Sequence, residues 1–294
     1  MKKTLFASLV LVVLISVSGM ICPLTSAQQP LNQKSADGSV KIVYNYPTDK
    51  PVRYLTDSKM IQTMDIMGQS MQVNINSVFG CSIKAVGNPE NNLKLEVTVD
   101  TIGQSTDSPM GSTGGAVREV QGKVFNIVIN PSGKSVDISE AENIVYNIEG
   151  SGESNLSETF VNFFPVLPDN AIKTGDTWTS TDSVNTSTSA MSMKMTITSA
   201  NKMEGFENVD GNECVKITAA LDGYRVMDVN SQGIDIHIKG PFTGTATFFF
   251  SLQDGYFIKQ LVDSKMTGEV EMTAPEPVNF PVIMDINSVN EVKN

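Results

Sequence analysis

Histidine occurs once in these 294 residues, at His237, and cysteine three times, at Cys22, Cys81 and Cys214. A Ser–His–Asp or Cys–His arrangement would have to use that single imidazole, and no nucleophile-elbow glycine motif is there to present a serine to it. His237 lies in Ile234-Asp235-Ile236-His237-Ile238, where apolar and polar residues alternate and the ring falls on the solvated face. The cysteines lack zinc-ligand spacing. Basic clusters are also missing, which removes the footprint expected for nucleic acid or anionic membrane surfaces. Paired carboxylates remain available for glycoside hydrolysis, but 32 acidic residues give no means of selecting a pair. No segment carries a cofactor signature.

What is present begins with an export signal. Lys2 and Lys3 precede an apolar run from Leu5 to Ile15, and Thr25-Ser26-Ala27 places small residues just before Gln28. This three-part pattern reads as a cleaved signal peptide over residues 1–27, too short and wrongly flanked for a membrane-spanning helix. Ile21, before Cys22, is larger than a lipidation site wants. Cleavage removes two of the 21 basic residues and no acid, leaving 19 against 32, a net charge of −13 over 267 residues. The mature chain is expected in the periplasm or outside the cell. There Cys81 and Cys214 either bridge, closing a loop worth roughly 4–5 kcal/mol, or are both buried.

Beyond residue 38 the dominant signal is period-two alternation. Met71, Val73, Ile75 and Leu93, Leu95, Val97, Val99 follow it, as do Phe125, Ile127, Ile129 and Val215, Ile217, Ala219, Leu221. Turn clusters such as Asn130-Pro131-Ser132-Gly133 and Val209-Asp210-Gly211-Asn212 separate the runs. Half-buried strands joined by short turns predict a mainly antiparallel β-protein. A shift of 122 positions superimposes Met71 on Met193, Lys94 on Lys216 and Gly133 on Gly255, with strand phase and turns coincident. This predicts a duplication: one curved β-unit of four to six strands over 28–138, a second over 179–294, and barrel-like closure to protect the sheet edges. Few aromatics, at 7%, and a C-terminus of Val292-Lys293-Asn294 argue against an outer-membrane barrel.

Between the units, residues 139–178 read as a helical connector and strand entry. Ser139 with Glu142 fits a capping box opening a helix to about Asn147. Leu156, Phe160, Phe163 and Phe164 then fall on one helical face, which Pro165 ends. The stretch 177–188 is rich in Ser and Thr and reads as an exposed strand or loop. Asp228 to Gly233 matches the opening of a calcium loop, but its twelfth position is Lys239 instead of Glu. The 15 methionines are the unusual part of the composition. Met60, Met64, Met67 and Met71 fit a helical stripe, and Met191, Met193 and Met195 share a strand face. They could fill a core, line an apolar ligand surface or hold Cu(I).

At Met67-Gly68-Gln69, Phe163-Phe164-Pro165-Val166-Leu167-Pro168 and Gly175-Asp176-Thr177-Trp178 the chain resembles a family of secreted bacterial β-proteins. That family pairs a signal peptide with an MGQ strand, an FFPxLP connector and a GDxW strand entry. The resemblance implies fold class and envelope location and supplies no site residues. Three functions follow from the whole reading. The first is a non-enzymatic envelope module holding a lipid or another apolar or amphipathic ligand, with Phe160, Phe163, Phe164, Met191, Met193 and Met195 as lining residues. The second is a structural or protein-interaction component of the envelope without a pocket. The third is a hydrolase using two carboxylates.

Overall fold

The computed structural model describes residue 32 and residues 34–66, 68–149, 152–187, 191–231, 234–273 and 277–293. The signal segment, Cys22 and Met67 lie outside them. The elements in chain order are β1 (Val52–Ile66), β2 (Gln69–Gly87), β3 (Leu93–Ser108), β4 (Gly111–Ala116), β5 (Val124–Ile129) and β6 (Ser135–Asp137). The connecting region holds α1 (Ser139–Glu142), β7 (Val145–Ile148), β8 (Gly152–Asn155) and α2 (Ser157–Phe160). The long strands β9 (Thr177–Ser187), β10 (Met191–Val209), β11 (Asn212–Ser231), β12 (Ile234–Ser251), β13 (Phe257–Met272) and β14 (Val278–Lys293) complete the chain.

Twelve strands form one sheet in the order β6-β5-β3-β2-β1-β14-β13-β12-β11-β10-β9, with β4 on the other end of β3. Every pairing in it is antiparallel. Both halves of the chain therefore feed one continuous surface, joined where β1 pairs with β14. The 122-residue shift carries β2 onto 191–209, the bounds of β10. It also conserves register: Leu55 opposite Gly80 becomes Thr177 opposite Lys202, and Asp65 opposite Ser70 becomes Ser187 opposite Ser192. The halves diverge beyond that hairpin. Residues 88–92 link β2 to β3, whereas Asp210-Gly211 alone turns β10 into β11, with positive φ at both residues as a tight two-residue hairpin requires. The second half then runs unbroken as β12 where the first is interrupted between β4 and β5.

The sheet curls around its inner face. Ser180 of β9 and Ile286 of β14 border the same cavity, although five strand spacings, about 24 Å, would separate them on a flat sheet. Glycines permit the bend: a Cβ at Gly240 would stand 2.5 Å from the Thr267 carbonyl oxygen, and one at Gly244 2.4 Å from that of Asp263. Only a residue without a side chain lets neighbouring strands approach so closely. The two sheet ends come together at the Lys134–Asp182 ion pair, 3.7 Å long. Among the described residues no backbone ladder joins β6 to β9. The result is an unclosed barrel, with residues 161–166 of the connector beside both of its ends.

Several local expectations are corrected. Met60 and Met64 lie on β1, where Met64 faces Met71 across the β1–β2 hairpin, so the methionine stripe is not helical. A spacing of four also fits one face of a strand, and Gly68, at φ 79°, turns the chain with its N–H donated to Asp65. The first connector helix stops at Glu142 and gives way to β7. Its Ser139 makes no capping bond; the Ser139 N–H is taken by Asp137. The second helix is the single turn of α2, after which the chain bends through Phe164. One turn leaves most backbone groups unpaired within the helix, so tertiary packing fixes its shape.

That packing is aromatic. Phe160 is fully buried, with ring centroids 5.8 Å from Phe79, 5.4 Å from Phe125 and 5.2 Å from Phe163. Phe163 meets Tyr54 and Phe257, and Phe164 stands edge-on to Tyr44 and Tyr46. The Tyr44 hydroxyl donates to the Pro165 carbonyl at 2.8 Å and clamps the connector to the segment that leads into β1. Cys81 and Cys214 are both buried and unbridged. Cys81 faces the inner core with Tyr54 and Val99, while Cys214 packs against Phe249 and Ile258 in a separate cluster. Val215, next in sequence to Cys214, is the residue that faces inward. The two thiols thus lie on opposite faces of the sheet, which rules out the bridge.

Candidate functional site

Where the connector leaves the sheet, a cavity of about 440 Å³ opens between the inner face of β9–β14 and residues 161–166. Its size falls in the usual small-molecule range of roughly 300–1,000 Å³. Strand phase decides which side chains reach it. Val215, Ile217 and Ala219 set the inward phase of β11, and Leu221, Gly223 and Arg225 continue it. On β12 the inward residues are Phe242, Gly244, Ala246 and Phe248, and on β10 they are Met195, Ile197, Ser199 and Asn201. Glycine at 223 leaves room for the Phe242 ring, whose Cζ would lie 2.5 Å from a Cβ there.

The walls are largely apolar, with a few polar groups spaced around them. Asn201 is buried and donates to the Ser199 carbonyl at 3.1 Å. Gln260, Ser183 and Ser264 contribute further hydrogen-bonding groups. Asp182 is the one carboxylate on the wall and is taken by Lys134. A two-carboxylate hydrolytic pair is therefore not built into this cavity among the described residues. Arg225 is different. Its Nη2 contacts the Met195 sulfur at 3.6 Å, its guanidinium lies 5.9 Å from the Phe242 ring centroid, and its Nε is buried without a partner. Burial alone pulls its pKa below the ordinary arginine value.

The residues expected at a ligand surface divide between regions. Phe164 borders the cavity, whereas Phe160 and Phe163 sit in the aromatic core behind it. Met195 is buried on the cavity wall, and Met193 packs farther along the same face. Met191 lies at the far end of β10, in a shallow surface depression with His237. There His237 Nδ1 is 2.5 Å from Asp228, and the Ser192 hydroxyl donates to the same carboxylate at 3.1 Å. A catalytic triad needs the imidazole between serine and acid; here the acid stands between the other two. The hydrogen bond from His237 holds the Asp228 carboxyl below the usual range. No cluster of three or more His, Cys, Asp or Glu residues placed to hold a metal occurs among the described residues.

A second, more open groove of about 750 Å³ runs between residues 166–172 and 175–181. It brings Val166-Leu167-Pro168 against Gly175-Asp176-Thr177-Trp178, two of the motifs singled out in the sequence. Trp178 packs against the aromatic core with its Nε1 buried and unbonded, and Asp176 accepts the Lys173 N–H at 3.0 Å. Sequence reasoning missed Arg225, although continuing the alternation of Val215–Leu221 by two steps places it on the inner face.

No family model matches the chain, and no curated protein matches it. Among solved structures, a crystal structure of Pseudomonas aeruginosa OccK2 (OpdF) aligns over 84% of this chain and 99% of its own, at 7% identity and a TM-score of 0.28. A second crystal structure of that protein, in complex with glucuronate, covers 85% of this chain and all of its own at 7% identity, with a TM-score of 0.25. A DUF1329 family protein from Desulfovibrio piger covers 79% of this chain and 83% of its own at 10% identity and a TM-score of 0.13. Likeness at this level is too slight to support a conclusion about fold or function.

Proposed function

We propose that this chain is an exported binding protein of the bacterial cell envelope that carries an amphipathic small molecule between its curled sheet and the Phe-containing connector. The observation that supports this most directly is the 440 Å³ cavity, walled by Phe164, Phe242, Phe248, Met195 and Leu221 and set with isolated polar groups. Apolar walls with a few convergent polar groups are the usual form of a small-molecule site. The export reading rests on the signal-like residues 1–27 and on the resemblance carried by the FFPxLP and GDxW motifs. Native mass spectrometry of the mature protein purified from a periplasmic extract tests the proposal. A copurified small-molecule mass that disappears on delipidation is expected. Delipidated protein should then raise the fluorescence of N-phenylnaphthylamine, and Ala246→Phe, which drives a ring into the cavity, should abolish that rise. A bare protein mass with no probe response would sink the proposal.

A further inference from the structure

We infer that Arg225 is the anchor for an anionic head group, so that the carried molecule is an oxyanion on an aliphatic chain. The inference deepens the cavity reading above and rests on it. Arg225 reaches the inner face of β11 between Gly223 and Met227, in a stretch that is otherwise apolar. The contacts its guanidinium makes are a sulfur and an aromatic ring. Neither neutralises it, and no carboxylate lies within ion-pair distance among the described residues. Among the described residues the only other charges on the wall, Lys134 and Asp182, cancel one another. The cavity therefore holds one unbalanced positive charge.

An arginine cannot escape burial by giving up its proton under ordinary conditions. A buried, unpartnered charge is costly. Its guanidinium fork matches a carboxylate or phosphate in a two-bond geometry that a lysine could not reproduce. On either side of it the inner face is apolar: Phe242 and Met195 beside the fork, Leu221 and Phe248 toward the connector. That layout suits one anionic end and one hydrocarbon end. A long-chain carboxylate and a single-chain phosphate ester share this chemistry.

Calorimetric titration of delipidated mature protein with decanoate, decyl phosphate and 1-decanol separates the cases. Decanoate or decyl phosphate should bind about 10- to 100-fold more tightly than decanol, the scale of a charge-assisted hydrogen bond. The tighter of the two identifies the head group. Arg225→Gln should bring the acids down to parity with decanol and leave decanol unchanged. Arg225→Met, which keeps the packing and removes the charge, should do the same and should raise the melting temperature of the ligand-free protein; a merely structural arginine would lower it. Equal binding of acid and alcohol by the wild type would overturn the inference while leaving the cavity reading intact, as would a preference for acid that survives in both variants. Binding of none of the three would overturn both.

Discussion

The inner face of this sheet is packed in two different ways at its two ends. At the connector end the filling is aromatic: Tyr44, Tyr46, Tyr54, Phe160, Phe163, Phe164 and Phe257 meet edge-on, tilted or, for Tyr44 with Tyr46, stacked, at centroid distances of 4.6–6.5 Å. The hydroxyls of Tyr46 and Tyr54 are 2.9 Å apart, and Tyr54 donates onward to the Phe257 carbonyl. At the other end Met195, Met266 and Met284 are buried, and Met60, Met64, Met193, Met227 and Met272 pack against them. Among the described residues Met203 is the sole methionine buried in the aromatic cluster. Rings have few rotamers and defined contact geometry. Thioether chains are flexible and polarisable, and they refill space when a neighbour moves. The cavity lies between the two, with Phe164 on the rigid side and Met195 on the adaptable side. A wall that cannot move facing one that can is suited to accepting molecules of one type and several lengths.

The comparison breaks most cleanly at Phe160. Its ring is buried among three others, so Phe160→Ala should cost about 3–5 kcal/mol, the range for an aromatic deleted from a packed interior. Urea unfolding of delipidated protein measures it, and a loss near 0.5 kcal/mol would mean that this core is not tightly packed. Met284, 3% exposed in the methionine cluster, should behave more softly. Met284→Ala should cost about 2 kcal/mol, at the low end for such truncations because flexible neighbours collapse into the space. Met284→Leu, close in volume, should cost less than about 1.5 kcal/mol. If Met284→Ala proves as damaging as Phe160→Ala, the two ends do not differ in the way described.

Strand content and phase were legible because alternation is a local property. The runs at Leu93–Val99 and Val215–Leu221 face the core as their spacing requires. The repeat was legible for the same reason, since β2 and β10 keep both length and register under one shift. Helices in the connector were over-read. Phe160, Phe163 and Phe164 have helical spacing, but what gathers them is contact with Tyr54, Phe79 and Phe125, far away in sequence. A stripe of apolar residues marks a face to be buried and does not by itself fix the backbone that buries it. The methionines erred in the same direction, because a spacing of four serves a helix and a strand equally. The cavity could not be read at all, since its wall combines strands from β9 to β14 with residues 161–166, and only the curl of the sheet brings them together.

Each end also holds a partly buried ionisable group without a full set of partners, and the two should respond to charge differently. Glu158 lies on α2 beside the aromatic core; Ser154 donates to one carboxylate oxygen at 2.9 Å, and the other is buried with no partner. Burial raises its pKa above the roughly 4.3 of an unfolded chain. The folded state therefore holds this proton more tightly than the unfolded one. Its contribution to stability is complete below about pH 4 and is lost as pH rises through the raised value. Glu158→Gln keeps the shape and removes the ionisation. It should stabilise the protein at pH 7 by less than about 1 kcal/mol, because the group is not wholly shielded from water, and the advantage should vanish near pH 4. Urea unfolding at the two pH values checks both halves, and a variant no more stable than wild type at pH 7 would refute the account. Glu158 can relieve its burial by taking up a proton. Arg225, at the methionine side, has no such route, so an anion must do for it what a proton does for Glu158.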